Sequence, residues 1–192
     1  MPADDAALLE LFQRAQNAFT DRVDAVESGR WDVAALPGWT VADLVAHLVD
    51  ENRWMPDLLA GDPVELVEPR FSHATADLLG DDPLTAWETA ADAALAALAA
   101  TDLHGTVHLY RGPTPIREYV EELTADLVVH GWDLARATGG DERIDPALLR
   151  AAAVVGDRLP AEGWPGLFDP PLQVPAGAPE QARVLARFGR RA

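Results

Sequence analysis

The residues best suited to chemistry are Asp126 and His130, which lie four positions apart in a stretch with helical periodicity. On a helix, this spacing puts two side chains on one face, about 40° apart around the axis and about 6 Å apart along it. Two such donors can hold one ion, and metal sites in helix bundles commonly take a further ligand from a facing helix. His47, in the apolar run from Leu44 to Val49, is the candidate for that third ligand.

Three protein ligands would leave a coordination position for water or substrate, which is the pattern of catalytic rather than structural zinc. Spacing alone keeps other interpretations open. His47 could be a hydrogen-bonded residue of the core, and His130 could pair with Asp126 or Asp133 on a solvated face. The spacing therefore nominates His47, Asp126 and His130 as metal ligands without deciding between these interpretations.

Four further residues could orient a ligand or contact a substrate. Glu51 and Asp133 each lie within one helical turn of a proposed ligand, where a carboxylate could accept a hydrogen bond from an imidazole. Arg53 could bind an anionic substrate or form a salt bridge in this acidic chain. Trp54 could line a substrate pocket, although tryptophans more often pack in the core.

The other histidines are weaker candidates. His104 and His108 share the four-residue spacing, but Gly105 and the β-branched residues after it disfavour a helix, so we expect a surface loop there. His73 lies in a polar loop, where we expect it to be solvated.

Hydrophobic periodicity predicts four long helices as the elements that position these residues. Their expected ranges are 4–28, 41–59, 83–100 and 115–137. Thr40 and Thr114 are the expected N-caps of the second and fourth helices, and Pro115 is expected at the first position of the fourth. Four long helices with little strand propensity predict an all-α fold, a four-helix bundle.

The segments outside the long helices are predicted to be shorter or irregular. The expected elements are a loop over 62–83 with a short helix near 74–79, an extended loop over 105–113, and short helices over 146–158 and 179–188. From Glu162, a proline-rich segment that includes Trp164, Pro165 and Phe168 is expected to wrap the body as an irregular strap. We expect a bundle over 1–160 and a C-terminal extension over 161–192 packed on it.

Composition removes several classes of function. The chain has no cysteine and no lysine, which excludes thiolate ligands, disulfides and Schiff-base chemistry on this protein. Its net charge of −17 disfavours nucleic acid and anionic membranes as partners. The N-terminal residues lack a signal-peptide pattern and no apolar run is long enough to span a bilayer, so we expect a cytoplasmic protein. The sequence leaves monomer and homodimer open.

Two segments resemble a known family. Residues 37–48, PGWTVADLVAHL, resemble the entry to the second helix of DinB-like metalloproteins. With residues 49–54 and the segment LTADLVVHGWDLARATG at 123–139, they are similar to the actinobacterial branch grouped with the N-terminal domain of mycothiol-dependent maleylpyruvate isomerase. The resemblance implies a DinB-like four-helix bundle with one divalent ion on His47, Asp126 and His130. The isomerase has glutamate where this chain has Asp126, one methylene shorter.

The resemblance also implies a function. It favours a metal-dependent transferase, isomerase or hydrolase that acts on a small molecule, with mycothiol as a co-substrate. Zinc is the expected ion, with nickel, iron and manganese as alternatives. A non-catalytic protein that binds a metal or a small ligand is the rival hypothesis, and a bundle that has lost its metal is a third.

Overall fold

Four long helices form a bundle in the computed structural model, which describes residues 3–163 and 168–192. These helices are α1 (Ala3–Asp24), α2 (Val41–Leu59), α5 (Pro83–Ala99) and α6 (Ile116–Thr138). Each of α1 and α2 packs against both α5 and α6, so the four helices enclose one core. The predicted all-α bundle is confirmed, and α1 ends four residues before the predicted boundary.

Shorter elements connect and extend the bundle. They are β1 (Ala34–Leu36), β2 (Trp39–Thr40), α3 (Val64–Val67), a 3-10 turn (Glu68–Arg70), α4 (Thr75–Leu79), β3 (Thr106–Leu109), β4 (Gly112–Pro115), α7 (Pro146–Gly156) and α8 (Glu180–Arg187). The strands form two separate two-stranded antiparallel sheets. Among the described residues, no helix is long and apolar enough to cross a membrane.

The start of α2 is fixed by a capping box. The Thr40 hydroxyl accepts a hydrogen bond from the Asp43 backbone N–H at 3.1 Å, and the Asp43 carboxylate accepts one from the Thr40 N–H at 2.9 Å. This confirms Thr40 as the N-cap with Asp43 as its partner. The Thr75 hydroxyl also donates to Asp43 at 2.6 Å, which ties α4 to the start of α2.

The start of α6 differs from the prediction. Thr114 pairs with Val107 in the antiparallel hairpin of β3 and β4, so Thr114 is a strand residue and not a helix cap. The helix begins at Ile116, with Pro115 as an N-cap that makes no side-chain hydrogen bond. The extended loop predicted over 105–113 is instead most of this hairpin, since it contains β3, the turn and the start of β4, and the pairing of the two strands decides the boundary. At the other end Gly139, with φ of +79°, stops the helix as expected.

Helix α6 lies at the centre of the molecule. It packs on α1, α2 and α7, and its residues 123–135 are all buried. A buried polar contact links three of the helices: Gln16 on α1 donates to the Asn52 side chain of α2 at 3.1 Å and to the Ala91 carbonyl of α5 at 3.0 Å. Buried hydrogen bonds of this kind fix the register of α1, α2 and α5, and thereby the position in the bundle of α2, which carries His47.

The C-terminal segment packs on α6 and α7. Phe168 and Phe188 are buried and meet edge to face, with ring centroids 4.8 Å apart. Helix α8 lies against α7, and the Leu172 N–H donates to the Ala186 carbonyl at 2.7 Å. Trp164 and Pro165 of the predicted strap lie outside the described residues. The division at residue 160 stays a prediction.

Candidate metal centre

The three sequence-predicted ligands come together where α2 faces α6. His47 Nε2 lies 3.6 Å from Asp126 Oδ2, and His130 Nε2 lies 3.4 Å from Asp126 Oδ1. One donor atom from each of the three residues falls within 4.8 Å of the others. The helical spacing brings Asp126 and His130 onto one face of α6, as predicted, and the packing of α2 supplies His47.

Donor atoms of His47 and Asp126 in this cluster are buried and lack hydrogen-bond partners. Asp126 and His130 are only 4% and 2% exposed. Within the part of the chain that the structure describes, His47 Nε2 and both Asp126 carboxylate oxygens are buried without a hydrogen bond. A buried polar atom without a hydrogen-bond partner lowers the stability of the folded state, and a bound ion would remove this free-energy penalty. Two imidazoles and a carboxylate are also the donor set that zinc accepts, so the residues fit a divalent ion.

Asp133 holds one of the imidazoles in place. Its Oδ2 lies 3.0 Å from His130 Nδ1, which leaves Nε2 of the same ring directed at Asp126. The guanidinium of Arg190, which follows α8, donates to both carboxylate oxygens of Asp133 over 3.0 to 3.3 Å. Arg190 Nη1 also donates to the Phe188 carbonyl at 2.8 Å. A buried chain of contacts thus runs from Arg190 through Asp133 to His130.

The charges of the cluster shift the pKa values of its members in opposite directions. Burial acts to lower the pKa of His47, but the neighbouring carboxylates of Glu51 and Asp126 outweigh it and raise this pKa to about 9. Burial and the Asp126 charge raise the pKa of Glu51 to about 8. Burial acts to raise the pKa of Asp126, yet the His130 and His47 imidazoles hold it below its ordinary value. Without an ion, a proton on His47 balances the carboxylates.

Aromatic rings enclose the imidazoles. Trp39 of β2 meets His47 edge to face at 5.0 Å between centroids and stacks near His130 at 6.3 Å. Phe168 stacks on the other side of His130 at 6.3 Å. These rings restrict the imidazoles and keep water from much of the cluster, which strengthens electrostatic interactions there.

A comparison with protein families decides what this architecture is. A family model described as the N-terminal domain of mycothiol maleylpyruvate isomerase matches residues 13–135, which is more than half of the chain. The chain belongs to this family.

Individual members of this isomerase-domain family and solved structures agree with the assignment. Two uncharacterized proteins of Mycobacterium tuberculosis, one from strain CDC 1551 and one from strain H37Rv, are each 30% identical over 189 residues, covering 93% of this chain and 94% of the relative. The crystal structure of the mycothiol-dependent maleylpyruvate isomerase matches with a TM-score of 0.64 at 17% identity, over 81% of this chain and 70% of that one. A histidine-to-alanine mutant of that isomerase gives 0.60 at 15% identity over the same shares. At these identities the match shows a shared fold.

Two cavities reach the cluster from different sides. The first, which we call the polar cavity, has about 350 Å³ and is lined by Leu36, Pro37, Trp39, His47, His130, Glu162, Phe168, Asp169, Pro170 and Arg190. The second, which we call the apolar cavity, has about 560 Å³ and is lined by Glu51, Trp54, Leu58, Val64, Leu109, Tyr110, Arg111, Tyr119, Glu122, Leu123, Asp126 and Phe168. The histidines thus face one cavity and Asp126 faces the other.

The other residues nominated from sequence divide into those at the cluster and those away from it. Glu51 Oε1 lies 3.7 Å from His47 Nε2, and Trp54 lines the apolar cavity. Arg53 lies over the Phe71 ring at 5.0 Å and lines neither of the two cavities. Arg53 therefore lies away from the candidate cluster, and its role in binding an anionic substrate stays a prediction.

The weaker histidines also lie elsewhere. His104 and His108 are exposed, and His108 belongs to the hairpin rather than to a loop. His73 is half exposed, with Nδ1 2.7 Å from an Asp50 carboxylate oxygen. None of these three described residues belongs to the candidate metal cluster.

Sequence reasoning missed Arg190, Trp39 and Phe168. Arg190 lies 57 positions after its partner Asp133, in a short basic segment with no periodicity, so no local signal links them. Trp39 lies within residues 37–48, to which the spacing argument assigns no role apart from that of His47. Its place directly before the Thr40 cap was a usable signal, because a residue there lies beside the first turns of the helix that carries His47.

Proposed function

We propose that this protein binds one divalent metal ion, most simply zinc, through His47, Asp126 and His130. The observation that carries the proposal is the convergence of three donor groups between α2 and α6, where the His47 Nε2 and both Asp126 oxygens are buried without a hydrogen-bond partner. Such a site supplies Lewis-acid chemistry that lowers the pKa of a bound water or thiol.

We further propose that the protein is an enzyme that uses a low-molecular-weight thiol, with mycothiol as the first candidate. The family and the isomerase with the matching fold support this, because that isomerase is named as mycothiol-dependent. The chain has no cysteine, so the thiol must come from a co-substrate. The reaction would be transfer of the thiol to a small electrophile or isomerisation through a thiol adduct.

The protein's own residues would position the reactants. Asp133 and Arg190 keep His130 oriented, while Trp39 and Phe168 limit water on both sides of its ring. The two cavities give the thiol and the electrophile separate approaches to the cluster. Holding two reactants side by side removes much of the entropic barrier of a bimolecular step.

Metal analysis of tag-free protein tests the ion. We expect close to one equivalent after reconstitution in the native protein and in His108→Ala, a matched control on the exposed hairpin. His47→Ala and His130→Ala should retain less than about a tenth of an equivalent, since each removes one of three ligands. Equal retention in all four proteins would show that the ligands are wrong, and no metal in the native protein would refute the site.

Activity is tested separately, with mycothiol and monochlorobimane. The thiol sulfur displaces chloride from the electrophilic carbon, and the thiol proton passes to solvent. We expect metal-dependent formation of the fluorescent thioether that His130→Ala abolishes. A metal-loaded protein that consumes neither reactant would instead be a non-catalytic binding protein.

A further inference from the structure

The apolar cavity has the form of a small-molecule site. At about 560 Å³ it lies in the size range of ligand pockets. Leu58, Val64 and Leu123 form walls that are at most 8% exposed. Trp54 adds an aromatic ring whose Nε1 is buried without a hydrogen-bond partner among the described residues. A mostly apolar wall with an unsatisfied polar atom is typical of a pocket that encloses a ligand.

Charged groups occupy opposite ends of this cavity. Glu51 and Asp126 lie at the inner end, where Asp126 joins the candidate metal cluster. Arg111 lies at the turn of the β3–β4 hairpin beside Tyr110, which is 63% exposed, so this end is the mouth. Arg111 is paired there with Glu122.

This distribution determines which charges a ligand can bring. Among the described residues that line the cavity, Arg111 is the one positively charged side chain. Its ion pair with Glu122 already neutralises this charge. A divalent ion on Asp126 would attract one anionic group at the inner end. A second carboxylate on the ligand would lie against leucine and valine side chains or against Glu122, and burying a charge without a partner is costly.

We propose that the apolar cavity binds the electrophilic substrate, and that this substrate is an apolar molecule of aromatic size with at most one anionic group, not a dicarboxylate. The inference rests on the proposed function, because it names the substrate class of the same site. It separates this protein from the maleylpyruvate isomerase of the same fold, whose named substrate carries carboxylates. The polar cavity, which Arg190 and Glu162 line, is left for the thiol.

A matched pair of probes tests the charge preference without any mutation. N-phenyl-1-naphthylamine is neutral and apolar, and 8-anilinonaphthalene-1-sulfonate is the same ring system with one sulfonate. We expect the neutral probe to bind at one site per chain of the metal-free protein, and at least about tenfold more tightly than the sulfonate does. Equal or tighter binding of the sulfonate would overturn the proposal.

Two substitutions locate the binding. Leu109 lines the mouth and is only partly buried, so Leu109→Trp should fill the cavity and weaken the neutral probe by at least about tenfold. Leu66→Trp adds the same ring at a residue that is 59% exposed and does not line the cavity, and should leave the affinity unchanged. Equal affinities of the two variants would show that the probe binds elsewhere.

The outcomes separate this inference from the proposed function. If Leu109→Trp weakens binding of the probe but the protein catalyses no thiol transfer, the ligand site in the apolar cavity is supported and the proposed enzymatic activity is refuted. If dicarboxylate electrophiles support thiol transfer as well as neutral ones do, and Leu109→Trp leaves the rates unchanged, the substrate class alone is refuted.

Discussion

Replacing Arg190 by methionine tests how the segment after α8 supports the metal cluster. Arg190 is 8% exposed, and its guanidinium makes three contacts of 3.0 to 3.3 Å with the Asp133 carboxylate, which is itself 4% exposed. Asp133 in turn lies 3.0 Å from His130 Nδ1. Methionine keeps much of the apolar stem and removes only the charge and the donors.

Two magnitudes follow from this geometry. Removing one partner of a buried ion pair leaves the other charge uncompensated and costs about 3–5 kcal/mol, so Arg190→Met should lower the free energy of unfolding by an amount in this range. Loss of the group that orients a ligand typically weakens metal binding about 10- to 100-fold, or about 1.4–2.7 kcal/mol. The double variant Arg190→Met, Asp133→Asn should recover stability, because it no longer buries an unpaired carboxylate.

Urea denaturation of the metal-free proteins measures the first effect, and competition with a chromophoric zinc chelator measures the second. Cobalt provides a spectroscopic check, since a reoriented His130 should change the d–d bands of the bound ion. Arg190→Lys, which keeps the charge, should restore part of the zinc affinity. A loss of stability below about 1 kcal/mol, or zinc affinity equal to that of the native protein, would refute the linkage from Arg190 to His130.

Four further predictions concern α2 and the cluster. The pKa of His47 in the metal-free protein is raised from 6.5 to about 9, so zinc must displace a proton from His47 at neutral pH. Calorimetric titrations should therefore show zinc affinity rising up to about tenfold per pH unit and levelling off above pH 9. The same proton stabilises the metal-free protein, and this stabilisation is fully present below pH 6.5 and lost as the pH rises through about 9. A melting temperature that does not fall over this range would contradict the raised pKa of His47. Asp126→Asn should weaken zinc binding by at least about tenfold with little change in the circular dichroism spectrum, because the substitution removes the carboxylate charge but keeps the side-chain shape. Unchanged zinc affinity would exclude Asp126 as a ligand. Thr40→Ala should lower the free energy of unfolding by about 1 kcal/mol while metal stoichiometry stays at the native value, since it removes only the cap that Asp43 completes.

The α-helices and part of the site are readable from the sequence because their signals are local. The capping box at Thr40 and the glycine stop at Gly139 need only neighbouring residues, and both mark helix ends where they were expected. Asp126 and His130 share a face because they lie four residues apart on one helix, so their proximity is a property of the helix itself. The boundary at Thr114 was wrong because a strand partner, Val107, competes for its backbone.

The features of the site that the sequence does not predict depend on contacts between residues far apart in the chain. The sequence determined that α2 carries a histidine and that α6 carries an aspartate–histidine pair, but only the packing of α2 on α6 brings His47 Nε2 to 3.6 Å from Asp126. Likewise only the tertiary structure places Arg190 against Asp133 and opens an apolar cavity on the Asp126 side. The physical reason is that burial, charge pairing and cavity shape arise from several elements at once, so no single segment encodes them.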